Sequence, residues 1–222
     1  MTAPAAILFD FGGTLDANGV AWKERFAAIA REEGLAPTPE AFDRAFYTAD
    51  DALLGTLPKD LPLRETVERL ASGLVRELQA GSEVGDRIAA RFLAESLAKL
   101  TESAALLERL SRRFRLGIVS NFYGNLEAVC ASTGIATHLG VAIDSVSVGF
   151  EKPDPRIFQA ALSALGVAPE AAVFVGDSLP RDMIGARDLG MSHVYVAPGH
   201  TAACCPQDRV IGAVTDLLEM YP

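Results

Sequence analysis

The chain has 222 residues, half of them hydrophobic, so it is long enough to bury a substantial core. Its 20 lysines and arginines against 29 aspartates and glutamates give a net charge of -9, which argues against nucleic acid or an anionic membrane as a partner. The 3 cysteines, two of them adjacent at Cys204 and Cys205, form no disulfide framework, and no apolar stretch approaches the roughly 18 residues of a membrane span, so we expect a soluble, cytoplasmic protein.

The first predicted element is a buried strand that begins close to the first residue. Residues 7–9 are an apolar run that ends at Asp10, and Gly12 and Gly13 follow at once, which is typical of a parallel strand entering a tight loop. Open α/β sheets bind ligands beyond the carboxyl ends of their strands, so Asp10 lies where a reactive group is expected. By itself this strand end is equally compatible with an aspartate that only starts a turn or caps a helix.

Four amphipathic helices are predicted next, with no strand between them. Apolar side chains recur at helical spacing over residues 21–33, 39–54, 63–78 and 84–100, and glycines and prolines separate these segments. We therefore expect residues 17–98 to form a compact helical bundle.

From residue 101 onward, strand and helix patterns alternate. The predicted helices cover 101–114, 126–132, 155–165, 180–189 and about 210–220, and the predicted strands cover 116–119, 141–148, 172–175 and 193–196. The predicted fold class is α/β, with a Rossmann-like parallel sheet core that carries helices on both faces. Residues 1–16 and 99–222 build this core, and the helical bundle is inserted after its first strand.

Polar side chains follow four of the predicted strands. They are Asp10, Ser120 with Asn121, Lys152, and Asp177 with Asp182. A carboxylate, a hydroxyl beside free amides, an ammonium group and further carboxylates together suit a phosphoryl group and a hard divalent cation. The sequence therefore predicts that these strand ends converge on one site.

The motifs at these strand ends resemble those of the haloacid dehalogenase-like (HAD) hydrolase superfamily in order and spacing. D-F-G-G-T-L at 10–15 is similar to its first motif, V-S-N at 119–121 to its second, E-K-P at 151–153 to its third and G-D-S-L-P-R-D at 176–182 to its fourth. The insert at 17–98 is similar to the α-helical caps that this superfamily places between its first and second motifs.

The resemblance implies a Mg²⁺-dependent phosphatase that acts on a small phosphorylated metabolite. Asp10 would attack phosphorus to form an aspartyl-phosphate, and Lys152 would neutralise charge on Asp10 and on the phosphoryl oxygens. The phosphoryl oxygens would be held by Ser120, Asn121, Lys152 and Gly13. The Mg²⁺ ligands would be Asp10, the Gly12 carbonyl, Asp177 and Asp182.

One position departs from the superfamily pattern. Its phosphatases usually carry a second aspartate two residues after the nucleophile, as acid and base, and here that position is Gly12. Such proton transfer contributes roughly 10² to 10⁴ in rate. Three explanations stay open: Asp16 takes over the catalytic acid/base role, the substrate has a good leaving group, or the protein binds a phosphorylated ligand with little turnover.

Two rival functions follow from the same residues. A metal-free 2-haloacid dehalogenase of the superfamily also lacks the second acid, but Asp177 and Asp182 beside the nucleophile are costly unless a cation lies among them. The other rival is a phosphate-ligand-binding protein. The sequence leaves open the oligomeric state, the identity of the substrate, and which of the candidate cap residues face the cleft, namely Trp22, Lys23, Arg25, Asp50 and Arg64.

Overall fold

The computed structural model of the chain describes residues 4–199 and 209–222. Within these residues a six-stranded sheet has the order β3-β2-β1-β4-β5-β6, and every neighbouring pair is parallel. The strands are β1 (Ala6–Phe9), β2 (Arg115–Ser120), β3 (Val141–Asp144), β4 (Ala172–Gly176), β5 (Ser192–Val196) and β6 (Arg209–Ile211). The prediction for Cys204 and Cys205 lies outside the described residues.

The helices fall into two groups along the chain. Those between β1 and β2 are α1 (Trp22–Glu32), α2 (Pro39–Asp51), α3 (Leu63–Glu77) and α4 (Ser82–Ser111). Those after β2 are α5 (Leu126–Ser132), α6 (Ser145–Val148), α7 (Pro155–Leu165), α8 (Ile184–Asp188) and α9 (Leu217–Met220).

Both faces of the sheet are covered by helices. Side chains of β1 alternate between two hydrophobic clusters, so Ile7 packs with residues of α4 and α5 and Leu8 packs with residues of α7 and α8. This confirms the predicted α/β class with helices on both faces. The arrangement places the carboxyl ends of β1, β2 and β4 side by side, because β1 lies between the other two strands.

Helix α4 differs from the prediction of two helices that meet near residue 100. It is continuous over 30 residues. Thr101 does not cap a new helix, because its hydroxyl donates to the Leu97 carbonyl 2.9 Å away inside the same helix. The division into a core of 1–16 and 99–222 and a cap of 17–98 remains our proposal, and its second boundary falls within this helix.

Two further elements were predicted wrongly. The strand expected over 141–148 stops at Asp144, whose carboxylate accepts from the Val146 amide at 2.9 Å and begins α6. The terminal helix expected near 210–220 is the edge strand β6 followed by the short α9, because residues 209–211 pair with β5. A short apolar run of this length fits either structure, and only the neighbouring strand decides.

Among the described residues we find no helix with the length and apolar character needed to cross a membrane.

Candidate active site

Three donors contact one carboxylate oxygen of Asp10, which follows the end of β1. Its Oδ1 accepts from the Ser120 hydroxyl at 2.8 Å and from the Phe11 amide at 2.7 Å, and Lys152 Nζ lies 2.8 Å from the same oxygen. The residue keeps 8% of its surface exposed, so it is held in place and still reaches the cleft. The carboxyl ends of β1 and β2 meet here, and Lys152, which follows α6 and not a strand, reaches the same point.

Lys152 connects Asp10 to a second carboxylate. Its ammonium lies 2.7 Å from Asp182 Oδ1 as well as beside Asp10, and the residue is only 3% exposed. Burial by itself would lower the pKa of this lysine, but the charges and hydrogen bonds of Asp10 and Asp182 raise the pKa above its usual value. Lys152 is therefore a cation throughout the neutral range.

Asn121 holds the backbone of Lys152 with its side chain. The Asn121 Oδ1 accepts from the Lys152 amide at 2.7 Å, and Nδ2 donates to the Lys152 carbonyl at 3.1 Å. The Asn121 side chain thus positions the lysine, and a contact between the Asn121 amide and a phosphoryl oxygen stays a prediction.

Three carboxylates gather around this lysine. Asp10, Asp177 and Asp182 each offer an oxygen, and these oxygens lie within 4.8 Å of one another. Burial and then the charges of Asp10 and Asp182 raise the pKa of Asp177 well above its ordinary value, although Thr14 donates a hydrogen bond to it at 2.9 Å. Burial also raises the pKa of Asp182 to about 6.

The cluster fits a hard divalent cation. One lysine leaves the charge of three carboxylates undercompensated, and oxygen ligands are those that Mg²⁺ prefers. Asp182 already uses both oxygens, since Oδ2 accepts from the Ser178 amide at 3.0 Å and Oδ1 contacts Lys152. Its observed role is to fix the lysine, and its role as a metal ligand stays a prediction.

Gly13 makes room for Asp177 and does not offer its amide to the cleft. At φ 90° a Cβ on Gly13 would lie 2.3 Å from Asp177 Oδ2, so only glycine fits here. Its N–H donates to Asp16 Oδ1 at 2.7 Å. The predicted contact between Gly13 and a phosphoryl oxygen is therefore replaced by an internal hydrogen bond.

Asp16 is a structural residue, which corrects its prediction as a catalytic acid. It is fully buried, and its Oδ2 accepts from Trp22 Nε1 at 2.8 Å and from Ser96 Oγ at 3.1 Å, while Arg25 Nη1 pairs with it at 2.9 Å. Burial raises the pKa of Asp16, whereas the Arg25 charge and the hydrogen bonds lower it. With both oxygens occupied by protein donors, this carboxyl does not reach a substrate in the cleft.

The space beside Gly12 is filled by an aromatic ring. A Cβ placed on Gly12 would lie 3.1 Å from Nε1 of Trp22. The indole packs edge-on against Phe92 and Phe122, with ring centroids 5.1 and 5.8 Å away. A side chain at position 12 would therefore crowd the Trp22 indole, which would have to shift by a few tenths of an ångström.

A cleft of about 520 Å³ lies over Asp10 and is lined from both sides. Trp22, Lys23 and Asp50 line it from α1 and α2, whereas Arg25 is buried in the Asp16 network and Arg64 lies on a separate surface between α3 and α4. Lys23 is paired with Asp43 at 3.1 Å.

Sequence reasoning did not single out three residues that line this cleft. They are Tyr123, Arg181 and Tyr195. Tyr123 donates to Asp50 Oδ1 at 2.5 Å and so joins the loop after β2 to the end of α2. Tyr123 lies two residues after the second motif, and Arg181 lies inside the fourth motif. Their closeness to these motifs along the chain was the signal that could have identified them.

Comparison with known proteins identifies the family of this chain. The family model for haloacid dehalogenase-like hydrolases matches residues 4–190. A bovine (Bos taurus) relative, haloacid dehalogenase-like hydrolase domain-containing protein 3, is 35% identical over 78% of this chain and 73% of its own length. A phosphoserine phosphatase of Thermus thermophilus is 32% identical over 87% of this chain and 82% of its own length.

A solved structure shares the fold at low identity. The crystal structure of a dehalogenase superimposes with a TM-score of 0.67 at 20% identity and covers 99% of this chain and 98% of its own. With a family model that spans most of the chain and relatives that share about a third of their residues, the chain belongs to the haloacid dehalogenase-like hydrolase family.

Proposed function

We propose that the protein is a Mg²⁺-dependent phosphatase that acts on a small phosphorylated metabolite through an aspartyl-phosphate intermediate. The observation that carries the proposal is the environment of Asp10. One of its oxygens is held by Lys152 and Ser120, and two further carboxylates stand within 4.8 Å. A nucleophile, a cation and a divalent-ion site around one anion suit phosphoryl transfer.

Each side chain has a role in that reaction. Asp10 attacks phosphorus with the oxygen that Lys152 and Ser120 leave free, because both contact Oδ1. Lys152 offsets the negative charge that Asp10 and the phosphoryl oxygens bring together. Asn121 keeps Lys152 in line, because its side chain bonds both the N–H and the carbonyl oxygen of Lys152.

The proposed Mg²⁺ would be bound by Asp10 and Asp177, with the Gly12 carbonyl and Asp182 as further candidates. When bound, it supplies positive charge to the phosphoryl oxygens and to the crowded carboxylates. A phosphorylated substrate is supported by the name of the Thermus thermophilus relative. The cytoplasmic location expected from the sequence stays a prediction.

The carboxylate cluster favours a phosphatase over the metal-free dehalogenase that we also considered. A dehalogenase that works without a cation would have to keep Asp177 and Asp182 next to its nucleophile with only Lys152 to compensate them. The structural similarity to a dehalogenase lies at 20% identity and speaks for the fold alone.

Phosphate release from a panel of phosphate monoesters, measured with Mg²⁺ and with a chelator, tests the proposal. We expect release that needs the metal and that is abolished in Asp10→Asn. Chloride release from 2-chloropropionate that survives the chelator would instead establish the dehalogenase. Binding of inorganic phosphate or a monoester without turnover would establish the ligand-binding protein.

A further inference from the structure

Cleavage of an alkyl phosphate requires a proton at the leaving oxygen. In-line attack by Asp10 expels the leaving oxygen on the side opposite the nucleophile. The cleft over Asp10 is lined by residues of α1 and α2 as well as by residues that follow the strands. An alkoxide is a poor leaving group unless an acid protonates it as the bond breaks.

Positions 12 and 16, in the loop after β1, do not supply this acid. Gly12 has no side chain, and Trp22 occupies the neighbouring space, 3.1 Å from where its Cβ would be. Asp16 is fully buried with both oxygens bound to protein donors. The acid therefore comes from elsewhere in the cleft.

Four carboxyl groups line the cleft among the described residues: Asp10, Glu24, Asp50 and Asp177. Asp10 is the proposed nucleophile, and Asp177 belongs to the metal cluster. Glu24 is exposed and lies 3.5 Å from Lys23. Asp50, at the end of α2, is the remaining carboxyl.

An aromatic wall connects Asp50 to the position beside Gly12. Trp22 contacts Tyr123, with ring centroids 6.5 Å apart, and the Tyr123 hydroxyl donates to Asp50 Oδ1 at 2.5 Å. Tyr123 is only 5% exposed, so it holds this oxygen in a fixed direction. The proton of an acid form is then carried by Oδ2.

The phenols of the cleft are less well placed. Tyr195 stands on β5, where the charges of Asp177 and Asp182 act on it, so it belongs to the metal side of the nucleophile. Tyr47 is an exposed residue at the rim.

We propose that Asp50 is the general acid and base of the proposed phosphatase reaction, in the role that Gly12 leaves unfilled. This inference rests on the proposed function. In the first step Asp10 forms a bond to phosphorus, the bond from phosphorus to the leaving oxygen breaks, and the proton of Asp50 Oδ2 passes to that oxygen. In the second step Asp50 removes a proton from the attacking water, which releases phosphate and restores both carboxyl groups.

The surroundings of Asp50 support this assignment. Burial raises its pKa, the Tyr123 hydrogen bond lowers it, the neighbouring Asp51 raises it and Arg181 lowers it, and the net direction is upward. A raised pKa keeps more of the acid form at neutral pH.

A comparison of two esters in Asp50→Asn tests the proposal. Glycerol 2-phosphate has a poor leaving group that needs a proton, whereas 4-nitrophenyl phosphate has a good one that does not. Alcohol or phenol release is followed in the first turnover with Mg²⁺, so that hydrolysis of the aspartyl-phosphate does not enter. We expect a loss of roughly 10² to 10⁴ for the glycerol ester and a loss of less than about 10-fold for the nitrophenyl ester.

Asp60→Asn is the matched control, because it makes the same change in charge at an exposed residue that does not line the cleft. It should leave both rates unchanged. Equal losses for the two esters in Asp50→Asn, or no loss for either, would overturn the inference and leave the phosphatase proposal standing. If the unaltered protein released phosphate from neither ester, the proposed function would fail and the inference with it.

A second measurement uses only the unaltered protein, so it remains possible even if Asp50→Asn does not fold. Across a series of aryl and alkyl phosphates, an internal acid makes kcat/KM depend only weakly on the leaving group. A steep fall of kcat/KM towards alkyl esters would overturn the role of Asp50 even if Asp50→Asn did not fold.

Discussion

Lys152 is the residue on which the electrostatics of the site depend. It is almost completely buried and contacts two carboxylates that would otherwise face each other without a cation, Asp10 and Asp182. Removal of one partner from such a buried group leaves its charges uncompensated, which costs far more than the pair contributes when intact.

We expect Lys152→Met to lower the free energy of unfolding by about 3–5 kcal/mol in metal-free protein. Urea denaturation at pH 7 measures the change. Lys59→Met is the control, because Lys59 is exposed and should change stability by less than about 0.5 kcal/mol. A loss similar to that of the control would show that Lys152 is not needed to hold the carboxylates.

The pKa of Asp182 sets a pH dependence for the metal-free protein. Because burial raises its folded-state pKa to about 6, above the ordinary value of 3.8, the folded protein binds the proton more tightly than the unfolded chain does. This residue therefore favours the folded state least at high pH. We expect the free energy of unfolding of the unaltered protein to fall relative to that of Asp182→Asn as pH rises from about 4 to 7. The expected fall is on the order of 3 kcal/mol.

Urea denaturation of both proteins in chelator, at several pH values, measures that difference. Asp177 contributes a fall of the same sign to the unaltered protein, since burial and then the charges of Asp10 and Asp182 raise its pKa. Excess Mg²⁺ should reduce the decline, because a cation replaces the proton in compensating the carboxylates. A difference between the two proteins that grows in the opposite direction with pH would contradict this account.

At the scale of elements, the buried ion pair of Asp16 and Arg25 links the loop after β1 to helices α1 and α4. Arg25 on α1 pairs with Asp16 at 2.9 Å and also donates to the Phe92 carbonyl of α4 at 3.1 Å. Asp16 in turn accepts from the Gly13 amide of the loop. The position of Gly12 and Gly13 under Trp22 thus depends on side chains far away in sequence.

We expect Arg25→Met to destabilise the protein by about 3–5 kcal/mol, because it leaves the buried Asp16 carboxylate without its cation. The double variant Asp16→Asn, Arg25→Met should recover at least about 1 kcal/mol of that loss. Arg31→Met, at an exposed position of the same helix, is the control. Additive losses in a urea-denaturation cycle would show that the two residues are not coupled.

The elements that carry the site could be predicted because their signals are local. The apolar run before Asp10 and the glycines after it determine a strand and a loop within a few residues. Ser120 and Asp177 could be placed because parallel strands bring their carboxyl ends to one edge, whereas Lys152 follows α6 and its place came from the family motif. The family motifs added the roles.

The remaining features depend on contacts that the sequence does not display. Asp16 is bound to Ser96, which is 80 positions away, and this contact decides that it is buried structure and no catalytic acid. Strand β6 exists because β5 offers it an edge. Helix α4 passes through residue 101, where the Thr101 hydroxyl bonds the Leu97 carbonyl of the same helix and does not cap a new one.

At the scale of the whole molecule, α4 joins the proposed cap to the proposed core without a break. It packs against α3 and α1 and also contacts β2, and Ser103 in its second half donates to the Leu15 carbonyl at 2.6 Å. The two parts are joined a second time, since the Asn125 amide donates to the Leu61 carbonyl at 2.8 Å and to Thr66 at 2.7 Å.

We expect one cooperative unfolding transition, in which amides of α1 to α3 and of the sheet open at the same denaturant concentration in hydrogen exchange. Ala98→Gly, at an exposed position on α4 next to the proposed boundary, should cost about 1 kcal/mol, and Ala98→Pro about 3 kcal/mol or more. Two separate transitions, or an Ala98→Pro variant as stable as the unaltered protein, would show that the helix is interrupted there.

The position of Trp22 has a spectroscopic consequence. It is the single tryptophan of the chain, its indole covers Gly12 in the wall of the cleft, and its N–H is bound to a buried carboxylate. Its emission therefore reports on one place only, which is the wall beside the nucleophile. When unlabelled protein is titrated with Mg²⁺ or with orthovanadate, the tryptophan emission should change in intensity or wavelength as the cleft fills. Asp10→Asn should shift the midpoint of the Mg²⁺ titration to higher concentration.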